Sequence, residues 1–341
     1  MTALGIASAP NAGTMKAPMT DLERIQEPVR DRLDAVWNEM RAAVETDAPL
    51  VGEMSAHVMA MRGKMFRPTL VLLSSGVSGE PDPAAVTHAA AVELVHLATL
   101  VHDDAIDHSI LRRGMPTLNS LFSHQISVIM GDFLYSIALT RLVALGNIES
   151  LRALTRASTE MTIGELRQLA VTVPLRFTEA DYYALIRAKT ASLISAACEI
   201  GALCGAVDHR ATLAKFGELL GMAFQITDDL IDYTEAASTA GKPTGLDLKE
   251  HKVTLPLIAA LRVMPASARR TVDALFAADE PADETIAEVV RIVADNGGLA
   301  YAREQGAGFA AEARKTLDQL PDTVARTALI DSISYVMERH A

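Results

Sequence analysis

Aromatic residues are scarce in this 341-residue chain: one Trp, six Tyr and eight Phe make up 4% of it, so few bulky rings are available to block an interior cavity. Cysteine is rarer still. Cys198 and Cys204 lie six apart in an apolar stretch without neighbouring His, which excludes a disulfide-built scaffold and a Cys-based metal centre and leaves both as small core residues. Basic residues are outnumbered, 31 Lys and Arg against 43 Asp and Glu. The net charge of −12 argues against a nucleic-acid partner, because the summed field repels a phosphate backbone. Any anionic ligand must therefore meet a local basic cluster. Long apolar runs are also missing. The longest stretch without a charged residue, Gly114 to Gly131, contains Pro116, Asn119, His124 and Gln125, so no transmembrane segment is expected. Residues 1–20 carry only Lys16 as a charge before Asp21 and no compact apolar block. They read as a flexible N-terminal tail rather than a secretion signal, and a transit peptide would be richer in Arg. A soluble, cytoplasmic protein is expected.

What is present is aliphatic. Half the residues are hydrophobic and 22% are charged, which excludes a disordered chain. From Asp21 onward apolar residues recur at three- and four-residue spacing, while strand-like alternation is nearly absent. Breakers at Pro49, the Gly79–Pro83 run, Pro116, Pro174, Gly241 to Gly245, Pro265, Pro281, Gly297-Gly298 and Pro321 separate the periodic blocks. These blocks include roughly 21–46, 66–78, 84–107, 117–145, 150–171, 178–206, 211–235, 254–262, 282–296 and 298–319. The expectation is an all-α domain over residues 21–341, a single large helical bundle whose central helices, apolar nearly all round, are enclosed by the others.

One short pattern occurs twice. Asp103, Asp104 and Asp107, and again Asp228, Asp229 and Asp232, read D-D-x-x-D. On a helix, positions i and i+4 stack on one face with i+1 beside them, so each motif concentrates three mutually repelling carboxylates near the end of an apolar helix. With 22 Asp in the chain, chance gives the pattern about 0.1 times, and a solvated acidic face is a weak account of two copies. Carboxylates without His or Cys suit a hard cation. Mg²⁺ takes one or two carboxylates and completes its octahedron with water and phosphate oxygens, so the pair of motifs points to a metal-bound diphosphate.

Cations suited to clamping phosphate lie near the same motifs: Lys64 and Arg67, Arg112 and Arg113, Lys189 beside Thr190, and Lys242, Lys249 and Lys252. His96 stands seven residues before Asp103, two turns away on the same helical face, so it faces the proposed site.

In these motifs the chain resembles the trans-isoprenyl diphosphate synthases, or polyprenyl synthetases, from about residue 24 to the C-terminus. The resemblance rests on Gly63-Lys64-x-x-Arg67-Pro68, Glu93-Leu-Val-His96, Asp103-Asp-x-x-Asp107 with Arg112-Arg113-Gly114, Gly131-Asp132-Phe-Leu, Lys189-Thr190, and Phe224-Gln225 before Asp228-Asp-x-x-Asp232. It continues through Gly241-Lys242-Pro-x-Gly-x-Asp247 to Lys252-x-Thr-Leu-Pro256. It implies an isoprenoid-synthase-type bundle with a central cavity, assembled as a homodimer. The substrates implied are isopentenyl diphosphate and an allylic diphosphate, and the cofactor Mg²⁺, three ions per active site. It further implies that Asp103, Asp104, Asp107 and Asp228 ligate metal, with Asp229 and Asp232 supporting them. The allylic-diphosphate clamp maps to Arg112, Lys189, Gln225, Lys242 and Lys252, and the isopentenyl-diphosphate clamp to Lys64, Arg67, His96 and Arg113. Thr190 and Asp247 are further candidates, and the catalytic set comprises Asp103, Asp104, Asp107, Lys189, Asp228 and Lys242.

Product length follows from the residues before Asp103. Short-chain members of the family often place a bulky aromatic there, whereas this chain has Ala98 and Thr99. A tunnel continuing between the helices around 84–107 and 117–145 predicts a long all-trans product, octaprenyl to decaprenyl, floored by Phe133, Tyr135 or Leu139. Such a product leaves room for transient membrane contact at release. A short-chain farnesyl or geranylgeranyl synthase and a noncatalytic subunit of a heteromeric synthase are the alternatives, and a terpene cyclase fits less well because the second motif repeats D-D-x-x-D. The sequence departs from the family pattern at Arg62, where Gly is common, at Met65, where Arg is common, at Ser123-His124, where Gly-Asn is frequent, and at His251, where Gly is usual.

Overall fold

The computed structural model describes residues 19–61, 63–234 and 245–338. Its elements, in order, are α1 (Asp21–Gln26), a 3₁₀ turn (Glu27–Val29), α2 (Arg30–Ala43), α3 (Pro49–Ala60), α4 (Phe66–Ser75), α5 (Ala85–Ile106), β1 (Leu111–Arg112), β2 (Met115–Pro116), α6 (Leu118–Leu121), α7 (His124–Leu145) and α8 (Ile148–Leu169). After a 3₁₀ turn (Pro174–Arg176) come α9 (Glu179–Ile186), a π-helical turn (Arg187–Ala191), α10 (Ser192–Leu203), a 3₁₀ turn (Val207–His209) and α11 (Arg210–Thr234). The remaining helices are α12 (Leu246–Lys249), α13 (Leu255–Leu261), α14 (Ala266–Ala277), α15 (Asp283–Asp295), α16 (Gly298–Leu317) and α17 (Val324–Glu338). The all-α class expected from periodicity is what forms.

The interior is built on α4, α5, α10 and α11. α5 is apolar on every side, and accordingly Ala89 to Val95 are all buried. It packs between α4 and α7, and α10 lies against α4, α8 and α11. The approach of α10 to α4 depends on Gly201, where a Cβ would come 2.2 Å from the Val71 carbonyl oxygen. A second apolar cluster joins Tyr182, Met222 and Ile226 to α13, α15 and α16, and Phe309 packs against both clusters. Both cysteines are buried and unpaired with one another, and burial pushes each thiol up to about 12, as core residues behave.

Several boundaries differ from the periodicity. The block at 117–145 divides at Phe122-Ser123, because Ser123 takes an extended backbone and its hydroxyl accepts the Ile126 N–H as the N-cap of α7. The block at 178–206 is interrupted by the π turn. Pro49 and Pro265 open helices rather than merely ending others, Pro49 at the first position of α3 and Pro265 as the N-cap of α14. β1 and β2 form a hairpin that the sequence reading did not include. Its two linking residues, Arg113 and Gly114, both take positive φ, 51° and 74°, as a type I′ turn requires.

Two helices, α5 and α7, are long and apolar enough to cross a membrane by length and composition alone. Interruption by Glu93 and Asp103 or by Asp132 hides them from a search for uncharged runs. The apolar window of α5 is 67% buried and that of α7 only 28%.

Candidate active site

The first acidic motif occupies the last turn of α5 and its C-cap, and the second lies in the last two turns of α11. Two cavities of about 800 and 780 Å³ meet between them. Lys189, Thr190, Gln225 and Asp228 line both. Asp103, Arg67, His96 and Arg112 line only the first, and Asp107, Asp229, Asp247 and Lys252 only the second.

The six motif carboxylates have different surroundings. Asp103 lies in the first cavity; burial raises its pKa, Lys189 and Arg112 oppose that rise, and the charges of Glu165 and Asp107 add to it. Asp107 is exposed at the helix end. Asp104 is buried and accepts both contacts of the Arg112 Nε–H, at 2.9 and 2.8 Å. The hairpin turns Arg112 back toward α5 and makes this pair possible. Asp229 is 6% exposed; its Oδ2 accepts the Tyr182 hydroxyl at 2.5 Å and its Oδ1 the Gln225 amide at 2.8 Å. Burial and the Asp247 charge push Asp229 well above the usual carboxylate range, against the pull of those two hydrogen bonds. Asp232 accepts the backbone N–H groups of Leu246 and Asp247 at 3.0 and 3.1 Å, tying the end of α11 to the start of α12. Burial raises its pKa and these two N–H donors oppose the rise.

Among the described residues no group of three His, Cys, Asp or Glu side chains is arranged to hold a metal ion unaided. The donor set nevertheless suits Mg²⁺, which needs only one or two carboxylates when phosphate oxygens supply the rest. Burial has left Asp103, Asp232 and Asp247 with raised pKa values, Asp247 up to about 7, the mark of crowded negative charge that a divalent cation would relieve. Of the six expected ligands, Asp103, Asp107, Asp228 and Asp229 line the cavities, whereas Asp104 and Asp232 line neither.

The expected cations are only partly gathered. Lys189 faces both cavities from the π turn, its Nζ 2.5 Å from Glu165 Oε2 and 3.3 Å from Gln168 Oε1. Lys252 lines the second cavity, where burial pulls its ammonium down, but Glu250 at 2.6 Å and the charges of Asp247 and Asp107 leave it raised. Thr190 donates to Gln225 Oε1 at 2.7 Å, so a continuous hydrogen-bonded path runs Thr190 to Gln225 to Asp229, with Tyr182 closing its far end. His96 is held neutral: burial above all, then the Arg67, Arg113 and Arg112 charges, lower its pKa well below the ordinary value. Lys64 and Arg113 line neither cavity. The Lys64 ammonium lies 6.0 Å from the Tyr335 ring centre, and Arg113 Nη1 donates to the Met61 carbonyl at 2.7 Å. Lys242 and Arg62 lie outside the described residues. Met65 and His251 both take left-handed backbone, φ 53° and 56°, and the second of these is the conformation that the glycine usual there adopts without strain.

Away from Asp103 the walls of the first cavity are mostly apolar, with Thr side chains among them. Val95, Ala98, Thr99 and Leu100 of α5, Tyr135 of α7 and Leu193 of α10 line it. α8 contributes Thr159, Met161, Thr162 and Ile163, so the passage is not bounded by α5 and α7 alone. Of the three expected floor residues, Tyr135 lines the cavity while Phe133 packs against the core.

Sequence reasoning missed Glu165, Gln168 and Tyr182, and the contact between His102 and Asp132. His102 Nε2 lies 3.0 Å from the Val128 carbonyl and 3.3 Å from Asp132, and its ring crosses α7 at Gly131, where a Cβ would come 2.3 Å from it. The Gly131-Asp132 dipeptide was the available signal for that contact.

The polyprenyl synthetase family pattern matches residues 48–293. The all-trans-nonaprenyl-diphosphate synthase (geranyl-diphosphate specific) of Rhodobacter capsulatus is 35% identical over 314 residues, covering 92% of this chain and 96% of that protein. A decaprenyl diphosphate synthase from Rhodobacter capsulatus superimposes with a TM-score of 0.88 at 35% identity, covering 94% of this chain and 99% of that one. A polyprenyl synthase from Caulobacter crescentus CB15, solved in complex with calcium and isoprenyl diphosphate, gives 0.89 at 30% identity, with 95% and 100% covered. Matched by the family pattern over most of its length and by relatives of 30–35% identity over nearly all of it, this protein belongs to the polyprenyl synthetase family.

Proposed function

We propose that this protein is a prenyltransferase that condenses isopentenyl diphosphate head-to-tail with an allylic diphosphate to give a long-chain all-trans polyprenyl diphosphate, octaprenyl to decaprenyl, and diphosphate. The observation that carries this reading is the junction at Lys189, Thr190, Gln225 and Asp228, where a polar chamber between two acidic helices opens into an aliphatic passage past Ala98 and Thr99. Relatives named for eight to ten isoprene units support the length.

In this reading the allylic diphosphate lies between Lys189, Arg112 and Lys252, with Gln225 and Thr190 fixing its orientation. Magnesium dependence is general in the family; three bound ions, held by Asp103, Asp107 and Asp228 with Asp104, Asp229 and Asp232 behind them, would supply positive charge against the departing diphosphate. The allylic C–O bond breaks, and the π electrons of isopentenyl diphosphate, held by Arg67 and His96, form the new C–C bond. A proton then passes to the released diphosphate, which leaves an allylic diphosphate longer by five carbons. His96, neutral in its buried setting, donates a hydrogen bond without adding charge. The aliphatic walls keep water from the cationic intermediate.

The active form is a cytoplasmic homodimer. Exposed Ile129 and Val143 on α7 and Ile163 and Leu166 on α8, each more than 40% accessible, support a covered apolar face there. The catalytic domain spans residues 21–341; residues 1–18 of the expected N-terminal tail lie outside the described residues. Incubation with labelled isopentenyl diphosphate, Mg²⁺ and geranyl, farnesyl or geranylgeranyl diphosphate tests the reaction. A ladder ending at eight to ten units is expected; a stop at three or four refutes the long tunnel, and no elongation refutes the enzymatic reading.

A further inference from the structure

Among the described residues Lys189 is the cation common to both cavities, and nothing on its own helix fixes its direction. The fixing groups come from α8. Glu165 Oε2 lies 2.5 Å from Lys189 Nζ and Gln168 Oε1 accepts from the same ammonium at 3.3 Å. The two acceptors stand three residues apart, hence on one helical face. Glu165 lines the first cavity and Gln168 the second, so the pair brackets the ammonium at the junction. The backbone beneath is arranged for this contact. Gly164 brings α8 against the π turn, where a Cβ would lie 3.0 Å from Ala188 Cβ and 3.4 Å from the Lys189 nitrogen. The π turn itself, closed by the Ser192 N–H on the Arg187 carbonyl, widens the helix at the residue that has to reach the cavity.

We propose that Glu165 and Gln168 are positioning residues that aim the Lys189 ammonium at the junction of the two cavities, so that an allylic diphosphate meets a cation already in place. A lysine on a four-carbon stem otherwise gives up rotamer freedom when its ligand arrives, and two fixed acceptors remove that cost in advance. The inference rests on the functional reading above and adds the residues that prepare its diphosphate clamp.

The test is a double-mutant cycle on the full chain with Mg²⁺ and both substrates. Glu165→Leu should raise the KM for the allylic primer about tenfold, with kcat and the KM for isopentenyl diphosphate changed less than about threefold. Glu165→Leu combined with Lys189→Ala should be no worse than Lys189→Ala alone. Glu165→Gln, which keeps an acceptor of the same shape, should recover most of the primer affinity. Circular dichroism on each variant identifies any that fails to fold, in which case Glu165→Gln with Gln168→Leu carries the cycle. Penalties that multiply in the double variant, or an unchanged primer KM in Glu165→Leu, would overturn the positioning role in an active enzyme. An unsubstituted protein inactive with every primer would instead overturn the functional reading, and this inference with it.

Discussion

Asp228 and Asp229 are neighbours in the chain, yet Asp228 lines both cavities while Asp229, 6% exposed, has one oxygen on Tyr182 and the other on Gln225. Adjacent helical residues project about 100° apart, so the same turn of α11 presents Asp228 to both cavities and uses Asp229, which borders only the second, to hold Gln225 and, through it, Thr190. The second acidic motif thus both faces the substrate and orders the wall beside it.

Asp103→Ala and Asp228→Ala should each lower turnover at least about a hundredfold without loss of helical signal, since both carboxylates face the cavities and neither removal empties the core. Near-normal rates in either variant would remove that aspartate from the metal assignment.

Tyr182→Phe leaves the buried Asp229 with Gln225 as its remaining side-chain donor. A stability loss of about 1–3 kcal/mol, read by urea denaturation, is expected from the unmet acceptor. Turnover should fall with it, because the carboxylate that holds Gln225 loses its own anchor on Tyr182.

Product length should respond at Ala98. It is 2% exposed and borders the apolar passage, so Ala98→Phe places a ring across the path of the growing chain, and chromatography of the dephosphorylated products should show the ladder ending several units earlier. An unshifted distribution would place the passage elsewhere.

Stability should fall with pH through His88. The imidazole is buried, its Nδ1 pairs with the Ala84 carbonyl at 2.8 Å and its Nε2 has no partner, so burial lowers its pKa below the ordinary 6.5. A histidine lowered in the folded state binds its proton more readily when unfolded. Its contribution is therefore complete above about pH 6.5 and is lost as the pH drops below that value, by at most about 1.4 kcal/mol per pH unit. Thermal melts from pH 7.5 to 5 should show the decline as the difference between the unsubstituted protein and His88→Leu, since the raised carboxylates Asp229 and Asp247, which act in the opposite direction, are common to both.

How far the sequence foretold the molecule depends on whether a residue acts within its own helix. Asp103, Asp107 and Asp228 repeat a pattern improbable by chance, and the aliphatic periodicity of α5 and α11 marks both as interior helices. Glu165 is one acidic residue on the polar side of an amphipathic helix, and its pairing with Lys189 exists only once α8 meets α9 and α10 in space. The hairpin at Arg112 to Met115 was hidden because its strands are two residues long, too short to show alternation. The π turn escaped because apolar spacing over 178–206 accommodates one extra residue without a visible break.

That extra residue acts as a phase shift in the helical screw. Every side chain of α10 is rotated by about 100° relative to an uninterrupted continuation of α9. Deleting one residue between Arg187 and Ala191 would restore regular hydrogen bonding locally, yet it would swing Gly201 away from the Val71 carbonyl and carry a bulkier neighbour into a gap that admits no Cβ. The irregular turn is therefore held in place from downstream, by the packing of a helix that makes no use of Lys189.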